Sequence, residues 1–228
     1  MAVVTDDART VMFLHGLGAS PSSWDAQLTA LPPGFTGFAP QIPGITGAAH
    51  TPFTVQGAAR ALVGELDARH LGSVHLCGLS LGAMVATQLA LDHPDRVASL
   101  VLSGSQVRPN PVLMAVQRNV IRLLPEQVAA GMGLTKSDWL AVLRSISRVD
   151  TVPRLREIHV PTLVLRGSRD VANLPAARRL ADGVPGARLQ VVPGAGHPWN
   201  EQDPERFSAT LSAFYGQLDD VRSTTPDD

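Results

Sequence analysis

Short runs of hydrophobic residues alternate along most of the chain with longer segments in which hydrophobic residues recur every three or four positions. This alternation is typical of β-strands joined by helices, which build a mostly parallel sheet flanked by helices. The pattern therefore indicates an α/β fold. Strands are predicted over residues 10–15, 37–40, 73–78, 97–102, 162–166 and 188–192, with a short edge strand over residues 2–5.

Helices are predicted between these strands. Thr54 can cap a helix that runs to about residue 68, and Pro94 is a stop signal after a helix over residues 81–91. Two later helices are predicted over residues 174–181 and 204–218. The alternation of strand and helix is therefore expected to continue almost to the end of the chain.

The pattern changes after residue 104, where helical segments follow one another without an intervening strand. Candidate helices there cover residues 111–124, 125–130 and 137–147. The final ten residues are acidic and lack hydrophobic periodicity, so we expect them to form a disordered tail. The predicted organisation is a core of residues 1–104 and 159–218, a helical insertion of residues 105–158, and a tail of residues 219–228.

The composition of the 228-residue chain is that of a globular, enzyme-sized domain, with 44% hydrophobic and 17% charged residues. Its formal net charge of −1 lacks the basic excess that binding to a phosphate backbone requires, so no nucleic-acid partner is expected. Cys77 is the only cysteine, which excludes an intramolecular disulfide and a cysteine zinc site. This cysteine usage favours a reducing, cytoplasmic location.

No membrane association is expected either. The N-terminus has no basic patch followed by an apolar run, so it does not have the pattern of a secretory signal. Residues 72–91 contain no charged side chain, but central glycines and polar residues such as His75 and Gln88 argue against a membrane span. A buried strand that runs into a buried helix explains this segment better.

The strongest chemical signal is Gly78-Leu79-Ser80-Leu81-Gly82, a G-x-S-x-G motif between a predicted strand and a predicted helix. Glycines on both sides of the serine let strand and helix approach closely, on a strained turn that exposes the hydroxyl. Ser80 is therefore the candidate nucleophile. The alternative is a glycine-rich turn with an incidental serine.

A serine nucleophile needs a general base, and histidine is the usual base near neutral pH. Among the seven histidines, His197 follows the last predicted strand in the loop GAGH, which puts it at the carboxyl edge of the sheet. Asp170 follows the preceding strand and reaches the same edge, where a carboxylate can orient the imidazole. The alternatives are a loop histidine without function and a helix-capping role for Asp170.

A loop for stabilising negative charge is also predicted. His15-Gly16-Leu17-Gly18 follows the first firm strand, and its glycines allow the loop to approach a substrate closely. Two backbone N–H groups must meet the oxyanion that forms when a serine attacks a carbonyl. The amides of Leu17 and Leu81 are the candidates for this oxyanion hole.

The chain resembles the α/β-hydrolase superfamily over residues 10–105 and 160–218. HGLGASPSSW is similar to the family's H-G-x-G-x-S-x-x-x-W opening, and Ser80, Asp170 and His197 follow its order of nucleophile, acid and base. The resemblance implies an eight-stranded sheet, which we expect to be shortened to about seven strands because little sequence precedes HGLG. It also implies that residues 105–158, inserted after the strand ending near Ser103, form a helical cap over the active site.

A cap of this kind sets the choice of substrate. Met114 and Trp139 are the cap residues that we expect to line an apolar acyl pocket, and His15 and Trp199 are further pocket candidates. The alternative for most apolar cap residues is packing against the core. The cap carries eight Lys and Arg against four Asp and Glu, a pattern more typical of a solvated helix face. The alternative is a basic surface that attracts an acidic substrate or carrier protein.

Together these observations predict a serine hydrolase that needs no metal or cofactor. The resemblance is to esterases and enol-lactonases, and it implies cleavage of a small carboxylic ester, lactone or thioester with an apolar acyl part, through an acyl-enzyme. Two alternatives stay open on the same fold. One is cofactor-free non-hydrolytic chemistry, such as acyl transfer, cyclisation or C–C bond cleavage, and the other is a ligand-binding receptor with a silent triad.

Overall fold

The computed structural model describes residues 9–45, 53–131 and 134–224 and contains one parallel sheet. Its six strands lie in the order β2-β1-β3-β4-β5-β6. The edge strand predicted over residues 2–5 lies outside the described residues. The strands are β1 (Thr10–Leu14), β2 (Thr36–Phe38), β3 (Val74–Leu79), β4 (Val97–Ser103), β5 (Thr162–Gly167) and β6 (Arg188–Val192).

Helices connect the strands, and six of the seven predicted helices have bounds within two residues of the predicted ones. Three of them, α4 to α6, follow one another between β4 and β5 and are called the inserted helices below. No described helix is both long and apolar enough to cross a bilayer. The helices are α1 (Asp25–Thr29), α2 (Val55–Ala68), α3 (Leu81–Asp92), α4 (Pro111–Leu123), α5 (Glu126–Gly131), α6 (Lys136–Ile146), α7 (Leu174–Gly183), α8 (Trp199–Gln202) and α9 (Pro204–Thr224).

The four central strands β1, β3, β4 and β5 are buried on both faces of the sheet. Successive side chains of a strand point to opposite faces and enter two separate hydrophobic clusters. In β1, Met12 and Leu14 belong to the hydrophobic cluster that includes α2, α3 and α7, and it extends to α4 and α6. Val11 and Phe13 belong to a second cluster with Trp24, α8 and α9. All four side chains are inaccessible to solvent. The sheet is therefore a rigid platform whose carboxyl edge can hold side chains in fixed positions.

The last helix is longer than predicted. It continues to Thr224, so residues 219–224, which were predicted to be part of a disordered tail, are helical. Phe207, Leu211 and Phe214 anchor this helix in the core. Once a helix is anchored, each further residue adds one hydrogen bond, so a polar continuation without Gly or Pro can extend it. Residues 225–228 lie outside the described residues.

Candidate active site

Ser80 occupies a strained turn between β3 and α3, with φ 56° and ψ −113°. Positive φ is unfavourable for a residue with a side chain and persists only where the surrounding structure enforces it. Here the Ser80 amide donates to the Ser103 carbonyl at the end of β4 at 2.8 Å. A Cβ on Gly82 would collide with the Leu14 carbonyl, and one on Gly78 would lie 2.5 Å from the Ala83 nitrogen. The motif glycines therefore permit the close approach that fixes this turn.

Asp170 and His197 lie after the adjacent strands β5 and β6, and the His197 Nδ1 donates to the Asp170 Oδ2 at 2.7 Å. The aspartate side chain is only 7% exposed, whereas the imidazole is 38% exposed and borders the same cavity as Ser80. Backbone hydrogen bonds join the two loops, from Arg169 to Ala195 at 3.0 Å among others. The sequence-predicted acid and base are therefore brought together, next to the predicted nucleophile.

Asp170 has hydrogen-bond partners, at its carboxylate and at its backbone carbonyl, that the sequence motifs did not indicate. Asn173 Nδ2 donates to both of its oxygens at 2.8 Å, and the Arg166 guanidinium donates to its backbone carbonyl at 3.1 Å. Burial by itself would raise the pKa of Asp170, but the hydrogen bonds from His197 and Asn173 and the charges of His197 and Arg166 bring that pKa below its usual value. The carboxylate is therefore ionised at neutral pH.

Gly104 provides the space that the His197 imidazole occupies. It has φ 59°, and a Cβ at this position would lie 2.7 Å from the His197 Cε1. Glycine adopts this backbone conformation without a steric penalty. A side chain at residue 104 would therefore displace the imidazole from Asp170.

Leu17 and Leu81 line the cavity together with Ser80, and their backbone amides have no hydrogen-bond acceptor within the described residues. Leu81 is the first residue of α3, so its amide is one of the N–H groups that a helix leaves free at its positive end. Such groups can stabilise a negative charge that develops on a carbonyl oxygen. The position of both amides is consistent with the predicted oxyanion hole.

His15 does not line the cavity, which corrects its prediction as a pocket residue. It is 1% exposed, its Nδ1 donates to the Gly16 carbonyl at 2.9 Å, and its Nε2 accepts from the Ile42 amide at 3.3 Å. Burial lowers the pKa of His15, and the bond to Gly16 opposes this only in part. The neutral ring therefore supports the loop that contains Leu17.

Trp199 is also not a pocket residue. It is fully buried beneath the active-site loops, where its ring packs on Phe207 with the centroids 4.4 Å apart. Its Nε1 donates to the Ser103 hydroxyl at 3.1 Å. The large apolar ring is buried on the side of the sheet that packs against α9, away from the cavity lining. Trp199 therefore stabilises the end of β4, to which the Ser80 turn is bound.

A cavity of about 520 Å³ opens beside Ser80, and Met114 and Trp139 are among its lining residues. Most of its lining is apolar, and no described Lys or Arg is part of it. The inserted helices contribute one side of the cavity, and the ends of the strands contribute the reactive groups. The lining residues from the inserted helices are Leu113, Met114, Val116, Gln117, Val120, Ile121, Trp139, Leu143 and Ile146.

The positive charge of residues 105–158 lies outside this cavity. Arg108 pairs with Asp150 at 2.7 Å, and Arg154 pairs with Asp92 at 2.8 Å and with Glu157 at 2.9 Å. Asp150 and Glu157 belong to the same segment and Asp92 lies outside it, so these pairs leave most of the positive excess in place. Within the described ranges, no three His, Cys, Asp or Glu side chains form a group that could hold a metal ion.

The sequence is similar to known hydrolases over nearly its whole length. The sequence model of the alpha/beta hydrolase family matches residues 11–210. A protein of Variovorax paradoxus named carbamate hydrolase RutD is 30% identical over an alignment of 250 positions that spans 93% of each chain. A protein of the same name from Caulobacter sp. is 28% identical over 91% of each chain.

Solved structures share the fold. The enol-lactonase of Burkholderia xenovorans superimposes with a TM-score of 0.81, at 22% identity and 92% coverage of each chain. A hydrolase from Pseudomonas aeruginosa also has a TM-score of 0.81, at 23% identity, with 92% of this chain and 91% of that chain covered. The match of the family model to residues 11–210, together with this fold, means that the chain belongs to the α/β-hydrolase family.

Proposed function

We propose that this hydrolase cleaves a carboxylic ester, lactone or thioester by forming an acyl-enzyme on Ser80. The observation that carries the proposal is the shared cavity of Ser80, His197 and two unbonded backbone amides, with Asp170 hydrogen-bonded to His197 at 2.7 Å. These are the parts that serine-mediated acyl transfer requires. They come from four separate segments of the chain.

In the first half of the reaction, the Ser80 Oγ attacks the carbonyl carbon while His197 Nε2 takes the hydroxyl proton. The amides of Leu17 and Leu81 stabilise the resulting oxyanion. When the tetrahedral intermediate collapses, the bond to the leaving oxygen or sulfur breaks and His197 returns its proton to that atom. The products of this half are the free alcohol or thiol and an ester between the acyl group and Ser80.

In the second half, His197 takes a proton from water and the resulting hydroxide attacks the acyl-enzyme. Collapse releases the carboxylic acid and restores the Ser80 hydroxyl with the proton held by His197. Asp170 keeps Nδ1 of the imidazole protonated throughout and stabilises the imidazolium that forms in each half. Its lowered pKa supports this role, because the carboxylate is ionised at neutral pH and can stabilise a positive charge on the imidazole.

The lining of the cavity favours a neutral, apolar acyl group. The inserted helices present mostly aliphatic and aromatic side chains to it, and Asp170 and His197 are its only charged or titratable lining residues among those described. Burying a methylene group contributes about 0.8 kcal/mol, so contact with this lining can distinguish acyl chains by length. An anionic substrate would meet no cationic side chain there.

Carbamate cleavage is a second candidate, because several relatives are named carbamate hydrolase RutD. The same triad could attack a carbamate carbonyl, although nitrogen donation makes that carbon less electrophilic. A neutral carbamate would suit the apolar lining better than a charged one. The two candidates share the nucleophile and differ in the group that Ser80 would carry as an intermediate.

The decisive experiment is a panel of p-nitrophenyl esters of increasing acyl length, with a p-nitrophenyl carbamate of matched size, assayed on wild type and on Ser80→Ala. We expect steady ester turnover that depends on acyl length and is lost in Ser80→Ala. Faster turnover of the carbamate would favour the second candidate. Absence of any turnover would favour a receptor, and transfer or cyclisation products in place of the acid would favour non-hydrolytic chemistry.

A further inference from the structure

Two amide side chains connect the acid of the triad to the loop that follows β4. Gln106 Nε2 donates to Asn173 Oδ1 at 2.5 Å, and Asn173 Nδ2 donates to both oxygens of Asp170 at 2.8 Å. With the bond from His197 to Asp170, these side chains form a continuous hydrogen-bonded chain. It crosses the carboxyl ends of β4, β5 and β6.

We infer that Asn173 is a positioning residue that holds the Asp170 carboxylate toward His197, and that Gln106 fixes the Asn173 amide in the orientation that this requires. The inference rests on the proposed function, because both residues act through Asp170. It adds to the triad two residues that no sequence motif indicated.

The orientation of the Asn173 amide follows from donor and acceptor chemistry. An ionised carboxylate only accepts hydrogen bonds, so Asn173 must turn its NH₂ group toward Asp170 and its oxygen away. Gln106 meets that oxygen with an N–H donor, which disfavours the flipped amide. If the amide flipped, two oxygens would face each other at Asp170 and two donors would face each other at Gln106. The Asp170 carboxylate therefore sets the orientation of the Asn173 amide, and the bond from Gln106 stabilises that orientation.

The position of the carboxylate follows from the same contacts. Asp170 Oδ2 accepts from His197 and from Asn173, while Oδ1 accepts from Asn173 alone. Because the Asn173 nitrogen contacts both oxygens, it restrains rotation of the carboxylate plane. The Asn173 Nδ2 and the His197 Nδ1 are 3.1 Å apart, and both groups donate to the same oxygen.

The charges around Asp170 indicate how loss of the Asn173 hydrogen bonds would affect His197. The charged groups that face Asp170 are His197 and Arg166. Hydrogen bonds from Asn173 disperse the negative charge of the carboxylate, so their removal would leave Asp170 a stronger partner for the protonated imidazole. The base would then hold its proton to higher pH. Loss of the restraint on rotation would at the same time lower kcat.

The test is Asn173→Leu, which keeps the size of the side chain and removes its hydrogen bonds. We expect kcat to fall about tenfold, because hydrogen bonds to a charged carboxylate are stronger than those between neutral groups, and the acidic limb of the kcat/KM profile to move to higher pH by about half a unit. Asn119→Leu is the matched control, because Asn119 lies exposed on α4 and accepts from Arg122. It should leave the pH profile unchanged.

A double-variant comparison distinguishes a positioning role of Asn173 and Gln106 from a general loss of stability at the site. Gln106→Glu replaces a donor with an acceptor and should lower kcat in the wild-type background, but it should cost little more when combined with Asn173→Leu. Should Asn173→Leu fail to fold, Asn173→Ser, which cannot reach both carboxylate oxygens, gives the same expected shift. The inference would be overturned if Asn173→Leu kept the wild-type kcat and left the acidic limb of the kcat/KM profile unmoved. It would also be overturned if the losses of kcat from Gln106→Glu and Asn173→Leu were fully additive. Retained activity in Ser80→Ala would instead overturn the proposed function.

Discussion

Helices α3 and α4 both border the cavity, but the structure holds them very differently. Eleven of the twelve residues of α3 are buried, whereas within α4 only Met114 and Ile121 are buried and Leu123 is 86% exposed. A helix that is packed on every side cannot shift without opening the core. The reactive groups at the start of α3 are therefore rigidly placed, while the pocket wall formed by α4 is less constrained.

The largest effect is expected for the candidate catalytic residues beside the start of α3, the tightly packed helix. Ser80→Ala and His197→Ala should each lower kcat by about 10³-fold or more, because neither residue can act without the other. The double variant should be little worse than either single one. Single-turnover and steady-state assays on an activated ester measure this, and losses that multiplied would mean that the two residues act in separate steps.

The packing of α3 predicts a large loss of stability from one methyl group. Gly82→Ala would force a Cβ against the carbonyl of Leu14, so we expect the free energy of unfolding to fall by about 3 kcal/mol. Gly64→Ala is the matched control. It lies within α2 with no atom near the position of a Cβ, and alanine there should raise the free energy of unfolding by about 0.5–1 kcal/mol.

Urea denaturation of the two glycine variants provides the measurement. Similar changes in the free energy of unfolding for Gly82→Ala and Gly64→Ala would contradict the claim that the start of α3 is tightly packed against the end of β1.

The less constrained side of the cavity should control selectivity. Trp139→Ala should reduce the preference between short and long acyl esters by about tenfold, because each buried methylene contributes about 0.8 kcal/mol. Met114→Ala should act in the same direction. Leu123→Ala, at an exposed position of α4 outside the cavity, is the control. An unchanged chain-length profile in both lining variants would mean that these side chains only pack the inserted helices.

The smallest effect is expected from the basic residues of the inserted helices. Arg118→Glu and Arg122→Glu should change kcat/KM for a neutral ester less than about twofold, since exposed charges are screened beyond ~8 Å at physiological salt. A titration with NaCl should likewise have little effect. Steep salt dependence together with lost turnover would instead indicate that this surface binds an acidic substrate or carrier.

The order of strands and helices, and the candidate nucleophile, acid and base, could be predicted from sequence because they depend on local patterns. Alternation of apolar residues indicates a strand, and Ser80 between two glycines indicates a tight turn. Chain order then put Asp170 and His197 at the same sheet edge. Each of these inferences needs only the residues near one position.

The errors and omissions concern tertiary contacts. His15 lies at the predicted edge, but its ring turns to the Ile42 amide, which no local pattern indicates. Trp199 follows the base by two residues, yet burial of its ring in the core determines its direction. Asn173 contacts Asp170 across a turn, and its only sequence signal is a polar residue between apolar ones. Gln106 meets Asn173 from a segment 67 residues away.

The central claim is that Ser80 is a nucleophile activated by His197, and labelling with a fluorophosphonate probe tests it most directly. Only a serine activated by a neighbouring base reacts readily with such a probe. We expect one label per chain, mapped to Ser80 by peptide mass spectrometry, with labelling abolished in Ser80→Ala and strongly slowed in His197→Ala. Labelling of Ser80→Ala at the wild-type rate, or labelling that maps to another residue, would contradict the account.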